Sequence, residues 1–235
     1  MYDESRYEIR TENRPTSLTR CLTGVYWWMS FALLISGISA YLVGTSPELT
    51  DLFVRTPAVF LVLAIVEIVM VIGITAGIDK LGAATATALF ILYAAVNGLT
   101  LSVVFVVYTT GSIAETFAVT AGPFGVMALI GTVTGKDLTS LGNLLFMALI
   151  GLVIASIVNL FWTNGVLYWV CTCAGILIFV GLTAYDAQKI KKMFVNAGTD
   201  DPETVRKIAV IGALALYLDF VNLLLYLLRL FGRRR

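Results

Sequence analysis

Residues 208–228 read IAVIGALALYLDFVNLLLYLL, a stretch broken by no polar residues other than Tyr217, Asp219, Asn222 and Tyr226. A helix crosses a bilayer core about 30 Å thick with roughly 20 apolar residues, so this stretch alone predicts a membrane span. Its centre carries a carboxyl group, which is costly in hydrocarbon unless it is protonated, paired or facing water. Steps of three and four from Asp219 reach Gly212, Ala215, Asn222 and Tyr226, a stripe of small and polar side chains on one helix face. Leu, Ile, Val and Phe make up nearly all the rest of the circumference.

The remainder of the chain fits the same solvent. Of 235 residues, 59% are hydrophobic and 13% charged, with a mean hydropathy of +0.90, whereas a soluble domain carries about 25% charge. Apolar runs fall at 22–44, 56–78, 83–108, 113–134, 141–162, 166–196 and 203–231, which predicts seven transmembrane helices. Residues 1–20 form a polar tail without the short apolar core of a signal peptide, and residues 21–232 form one membrane domain. The sixth run is apolar only to Ala184. YDAQKIKKMF then continues it into water, Asn196-Ala197-Gly198 stops it, and Asp200-Asp201-Pro202-Glu203 opens the seventh.

Lys and Arg in the short connections set the expected orientation. Arg6, Arg10, Arg14, Arg20, Lys80, Lys136, Lys189, Lys191, Lys192, Arg206 and Lys207 share one side, which places the N-terminus in the cytoplasm. Against them stand Arg55 and a belt of Trp162, Tyr168 and Trp169. Seven crossings put Arg229 and Arg233–Arg235 outside against the rule, so either one run is re-entrant or the early charges dominate. Small residues at four-residue spacing (Ala32, Ser36 and Ala40; Gly73 and Gly77; Gly131 and Gly135) predict close helix contacts, and Pro123 predicts a kink in helix 4.

Composition also excludes functions. Sixteen basic residues against fifteen acidic ones leave a net charge of +1, without the basic surface that nucleic acid requires. Histidine is absent, which removes the usual general base, metal ligand and pH switch, so any pH sensing falls to carboxyl groups. Cys171 and Cys173 stand about 200° apart around a helix and cannot face one metal together; with Cys21 they read as buried thiols. No cofactor and no tight metal site are expected.

Three acids lie within spans: Glu67, Asp186 and Asp219. Helical steps from Asp186 give Thr172, Gly175, Phe179 and Thr183, again smaller and more polar than the rest of that run. If helices 6 and 7 pack side by side the two aspartates can meet, although counting from the helix ends offsets them by about 10 Å. Two carboxyl groups within hydrogen-bond distance share one proton and yield it only toward neutral pH. A shared proton holds helices together and two charges drive them apart, which makes the pair a candidate latch.

The runs IFVGLTAYDAQKIKK (178–192), ALALYLDFVNLLLYLLRLFG (213–232), LGAATATALFILYAAVNGLTLS (81–102) and LLFMALIGLVIASIVNLF (144–161) resemble the Bax inhibitor-1 family, in particular its bacterial branch. The resemblance implies an all-α membrane fold in which helix 7 is surrounded by helices 1–6. It also implies a pH-sensitive calcium leak closed by two aspartates, here Asp186 and Asp219. In the family an arginine near the end of helix 2 pairs with the helix 6 aspartate; this chain reads AGIDKLG there and offers Lys80 as the latch cation. Calcium takes several oxygen ligands, which Asp186, Asp219, Glu67, Asn222 and backbone carbonyls would supply along a weak, leaky route.

Two other readings compete. A Tyr-Asp on helix 6 with a second Asp on helix 7 also suits an intramembrane aspartyl protease, yet the approach to Asp219 is Leu216-Tyr217-Leu218 rather than Gly-x-Gly, and the expectation is no enzyme. A non-conducting regulator that binds a membrane protease or secretion complex is the third.

Overall fold

The computed structural model describes residues 14–49, 56–199 and 201–235. Arg6, Arg10, Arg55 and Asp200, used above, lie outside them, as does most of the 1–20 tail. Among the described residues seven long helices follow in order: α1 (Arg14–Thr45), α2 (Pro57–Gly77), α3 (Ala83–Val107), α4 (Thr110–Val133), α5 (Thr139–Phe161), α6 (Gly165–Ala197) and α7 (Pro202–Phe231). Each is long and apolar enough to cross a bilayer, which makes the chain an integral membrane protein.

Local chemistry sets the helix ends. Asn164 caps α6 by accepting from the backbone N–H groups of Val166 and Leu167 at 2.9 and 3.2 Å. Gly198 ends the same helix at φ 62°, in the left-handed region that favours glycine. Asp201 caps α7 through the Thr204 backbone N–H and hydroxyl, both at 2.9 Å, and these bonds hold its carboxyl below the usual carboxylate range. α4 continues through Pro123 without a break.

α7 is the central helix. Two-thirds of its apolar stretch is buried (67%), while no other helix exceeds 33%, and α2 and α5 stand at 6%. It packs principally on α1, α3, α4 and α6; α2 lies outside on α3, and α5 outside on α6. The all-helical expectation holds, with the surround built in two shells.

Small residues let these helices close. A Cβ added to Gly131 of α4 would fall 2.1 Å from the Ala184 carbonyl oxygen of α6, and one added to Gly98 of α3 would fall 2.6 Å from that of Ser36 of α1. Ala32, Ser36 and Ala40 are buried on α1 as their spacing predicts. Gly73 meets nothing within 4 Å, because it sits on a lipid-facing side of α2, so its spacing to Gly77 marks no helix contact.

The α4–α5 connection is tied to α6. Gln188 accepts from the Leu138 N–H at 2.8 Å and donates to the Lys136 carbonyl at 2.7 Å, and Lys191 donates to the Thr132 carbonyl at 2.8 Å. Lys192 pairs with Asp137; that ammonium, with Thr139, holds the Asp137 carboxyl well below the usual carboxylate range. At the opposite end the tail folds back over the α3–α4 connection, where Tyr108 and Arg234 pair in antiparallel fashion. The Thr109 N–H donates to the Arg233 carbonyl at 3.1 Å, and the Arg235 N–H to the Val107 carbonyl at 3.0 Å. Since all seven runs are full-length helices, no re-entrant segment brings the terminal arginines back to the α6–α7 end.

Gly131→Ala forces α4 and α6 apart, and its thermal midpoint in detergent is expected to fall by at least about 5 °C. Gly125→Ala, in the same helix with nothing within 4 Å, is expected to stay within about 2 °C of the parent or rise. Equal losses in both variants would refute the close contact.

Candidate functional site

α7 turns its small and polar stripe toward α6. A Cβ on Gly212 would lie 2.9 Å from the Ile190 side chain, and one on Gly175 of α6 would lie 2.6 Å from the Tyr226 ring. These two approaches fix an antiparallel register in which Asp186 stands level with Leu216, three residues from Asp219. At 1.5 Å per residue the carboxyl groups are offset by about 5 Å along the axes. Counting from helix ends gives about twice that, because it leaves out the residues that join α6 to α7.

Both aspartates line one cavity of about 640 Å³ between α2, α5, α6 and α7. Asp219 is 4% exposed, and among the described residues its Oδ2 is the one buried side-chain oxygen or nitrogen with no hydrogen-bond partner. An orphaned carboxyl oxygen in such a place costs the full desolvation of that atom, so it is a point where a proton or cation is favoured. Asp186 is half-buried where α6 lines the same cavity. No hydrogen bond joins the two among the described residues. Asn222 lines the same cavity and donates to the Leu218 carbonyl at 2.8 Å, and Asn143 of α5 and Thr75 of α2 add polar atoms.

Two candidates from the sequence lie elsewhere. Lys80 is exposed in the turn after α2, where it borders a different groove with Met70, Gly73 and Leu89. The cation that lines the aspartate cavity is Lys189, one turn beyond Asp186 on α6, with its ammonium 6.0 Å from the Tyr185 ring centroid. Glu67 lies one turn from Val71 on α2, outside the cavity lining, with both carboxylate oxygens taken by α3: the Asn97 amide donates to Oε2 at 3.0 Å and the Thr100 hydroxyl to Oε1. Among the described residues no group of three His, Cys, Asp or Glu gathers as a metal site.

The family model for the inhibitor of apoptosis-promoting Bax1 matches residues 18–235. The chain belongs to the Bax inhibitor-1 family. It is 50% identical to the inner membrane protein YbhL of Escherichia coli K12 over 211 residues, 90% of either chain. A Borreliella burgdorferi protein is 42% identical over 214 residues, 91% of this chain and 92% of its own, and Rickettsia prowazekii RP147 is 39% identical over 238 residues and the whole of both chains. Kinship with YbhL puts this Bax inhibitor-1 family chain in a bacterial inner membrane.

The Bax inhibitor-1 bundle also holds a polar network that sequence reasoning passed over. The Tyr217 hydroxyl donates to Asn97 Oδ1 at 2.8 Å and lies 2.6 Å from the Ser36 hydroxyl. Ser36 reaches the Ala94 and Ala32 carbonyls at 2.7 and 3.0 Å. With Glu67 this chain of bonds ties α1, α2 and α3 to α7. Tyr217 precedes Asp219 by two residues and so projects from the far side of the helix. A Tyr and an Asn in mid-span were the available signal, since each must find partners in hydrocarbon.

Removing the hydroxyl in Tyr217→Phe orphans the Asn97 oxygen, and we expect a loss of about 1–2 kcal/mol in denaturant-induced unfolding in micelles. A variant as stable as the parent would show that the network does not fix α7.

Proposed function

We propose that the cavity is the chamber of a pH-sensitive calcium leak in which Asp186 and Asp219 exchange one shared proton for two charges. The observation that carries this reading is the pair of carboxyl groups on one cavity, one of them with a buried oxygen that has no partner. When the pair holds a proton, α6 and α7 are drawn together across their offset of about 5 Å. When both groups are charged they repel and present a divalent cation with oxygen ligands, to which Asn222 and Asn143 add carbonyl oxygens. Affinity is weak because so few ligands converge, and flux is slow because no ring of carbonyls forms a filter.

Lys189 takes the part of latch cation in place of Lys80, since it borders the cavity with Asp186 while Lys80 borders a different groove. Glu67 is left out of the path because both its oxygens are already bonded. In the orientation given by the basic connections, the Lys189 end of the chamber faces the cytoplasm. We assign the chain no catalytic step, as its family is not a known enzyme family.

The test is calcium entry into dye-loaded liposomes between about pH 5 and 8, with Asp186→Asn and Asp219→Asn beside the parent. The parent is expected to show a transition in that window, and either substitution should flatten it. An unchanged profile in both variants would remove the latch. A parent that passes no calcium at any pH, while a membrane protease or secretion complex copurifies from cells, would establish the non-conducting regulator instead.

A further inference from the structure

The wall of the aspartate cavity is largely hydrocarbon, which an inorganic ion does not use. Phe146, Leu149 and Val153 of α5, Phe179 of α6 and Leu214 and Leu218 of α7 all line it. Phe146 and Val153 are 60% and 51% exposed, so the cavity opens between the outer helices α2 and α5, on the side that meets lipid. Its volume of about 640 Å³ falls within the range of small-molecule sites, about 300–1,000 Å³, and its make-up matches theirs: apolar walls with a few placed polar groups.

Charge then selects the occupant. The titratable groups that face the cavity are Asp186 and Lys189, with Tyr185, on α6 and Asp219 on α7, while α2 and α5 contribute only Thr75 and Asn143 as polar residues. Lys189 stands one turn from Asp186 on the same helix. Asp219 has no such neighbour on α7, and its Oδ2 is buried and unpartnered. A guest that suits both features carries one positive charge for Asp219 and an apolar body for the wall. Aromatic side chains in the lining, Phe146 and Phe179, favour a weakly hydrated cation further.

We propose that this cavity binds a lipophilic monocation, of the quaternary ammonium, phosphonium or protonated amphiphilic amine class, which enters from the bilayer between α2 and α5 and sets its charge against Asp219. The proposal rests on the reading of Asp186 and Asp219 as cavity-facing acids and not on calcium flux.

The probe is tetraphenylphosphonium, whose charge does not titrate, with tetraphenylborate as the anion of the same shape. Binding is measured by equilibrium dialysis against the full-length protein in phosphatidylcholine nanodiscs at about pH 7.5, with empty discs subtracted. Saturable uptake of the phosphonium is expected, weakened at least about tenfold by Asp219→Asn and regained in Asp219→Glu. Phe146→Ala, on an outer helix where folding tolerates it, should weaken uptake about threefold, and acidification of the parent toward pH 5 should weaken it as the carboxyl groups protonate. Uptake that Asp219→Asn leaves within about twofold, or equal saturable uptake of the borate, overturns the proposal. If Asp219→Asn does not fold, Phe146→Ala and the acid titration of the parent decide. Phosphonium binding that depends on Asp219 beside an unaltered leak profile in the Asn variants supports this site and refutes the latch. A flattened leak profile beside unaltered phosphonium binding does the reverse.

Discussion

A carboxyl group carried into the middle of a helix bundle must be answered by a proton, a cation or a hydrogen-bond donor, because hydrocarbon gives it no other partner. Asp219 is that group, at the core of the most buried helix, with one oxygen unanswered within the protein. Much of the surrounding architecture follows from leaving it so. The glycines that bring α6 and α7 together above and below it, the single-turn offset from Asp186 and the outer position of α2 and α5 together make a chamber rather than a sealed core.

The two sides of α7 contrast in how completely their polar groups are satisfied. On one side Tyr217, Asn97, Ser36, Thr100 and Glu67 form a bonded chain that spans four helices. A fully connected network of this kind rigidifies and fixes position, because each bond is strengthened by the low local dielectric. On the other side two carboxyl groups, an ammonium and two amides line the cavity without a hydrogen bond between the acids. The same helix is thus held by a bonded network on one face, while on the other the acids make no bond to each other among the described residues.

Much of this was legible in the sequence because a membrane imposes its own periodicity. Seven apolar runs gave seven helices, with ends displaced by at most a few residues except at α1, which begins at Arg14 rather than near residue 22. Asp186 and Asp219 stood out as charges in lipid, and helical stepping placed Ala215 and Asn222 on the same face as Asp219, where the cavity lies. What sequence could not supply was the neighbour across helices. Lys80 and Lys189 are equally basic as letters, and only the packing of α2 on α3 turns the first away. Glu67 looked as free as the aspartates, since the donors that occupy it come from α3, some 30 residues along the chain. Gln188 gave no pattern at all before the α4–α5 connection was seen to fold against it.

The ties at the two ends of α7 limit how it moves. Near its start Glu203 accepts from the Ala83 N–H at 2.9 Å, and past its finish the backbone of Arg233 and Arg235 is stitched to the α3–α4 connection. A rod fastened at both tips cannot work as a piston. Under the proposed latch α7 is therefore the fixed post, and the parting of the two aspartates falls to α6 and to α5, which packs on it.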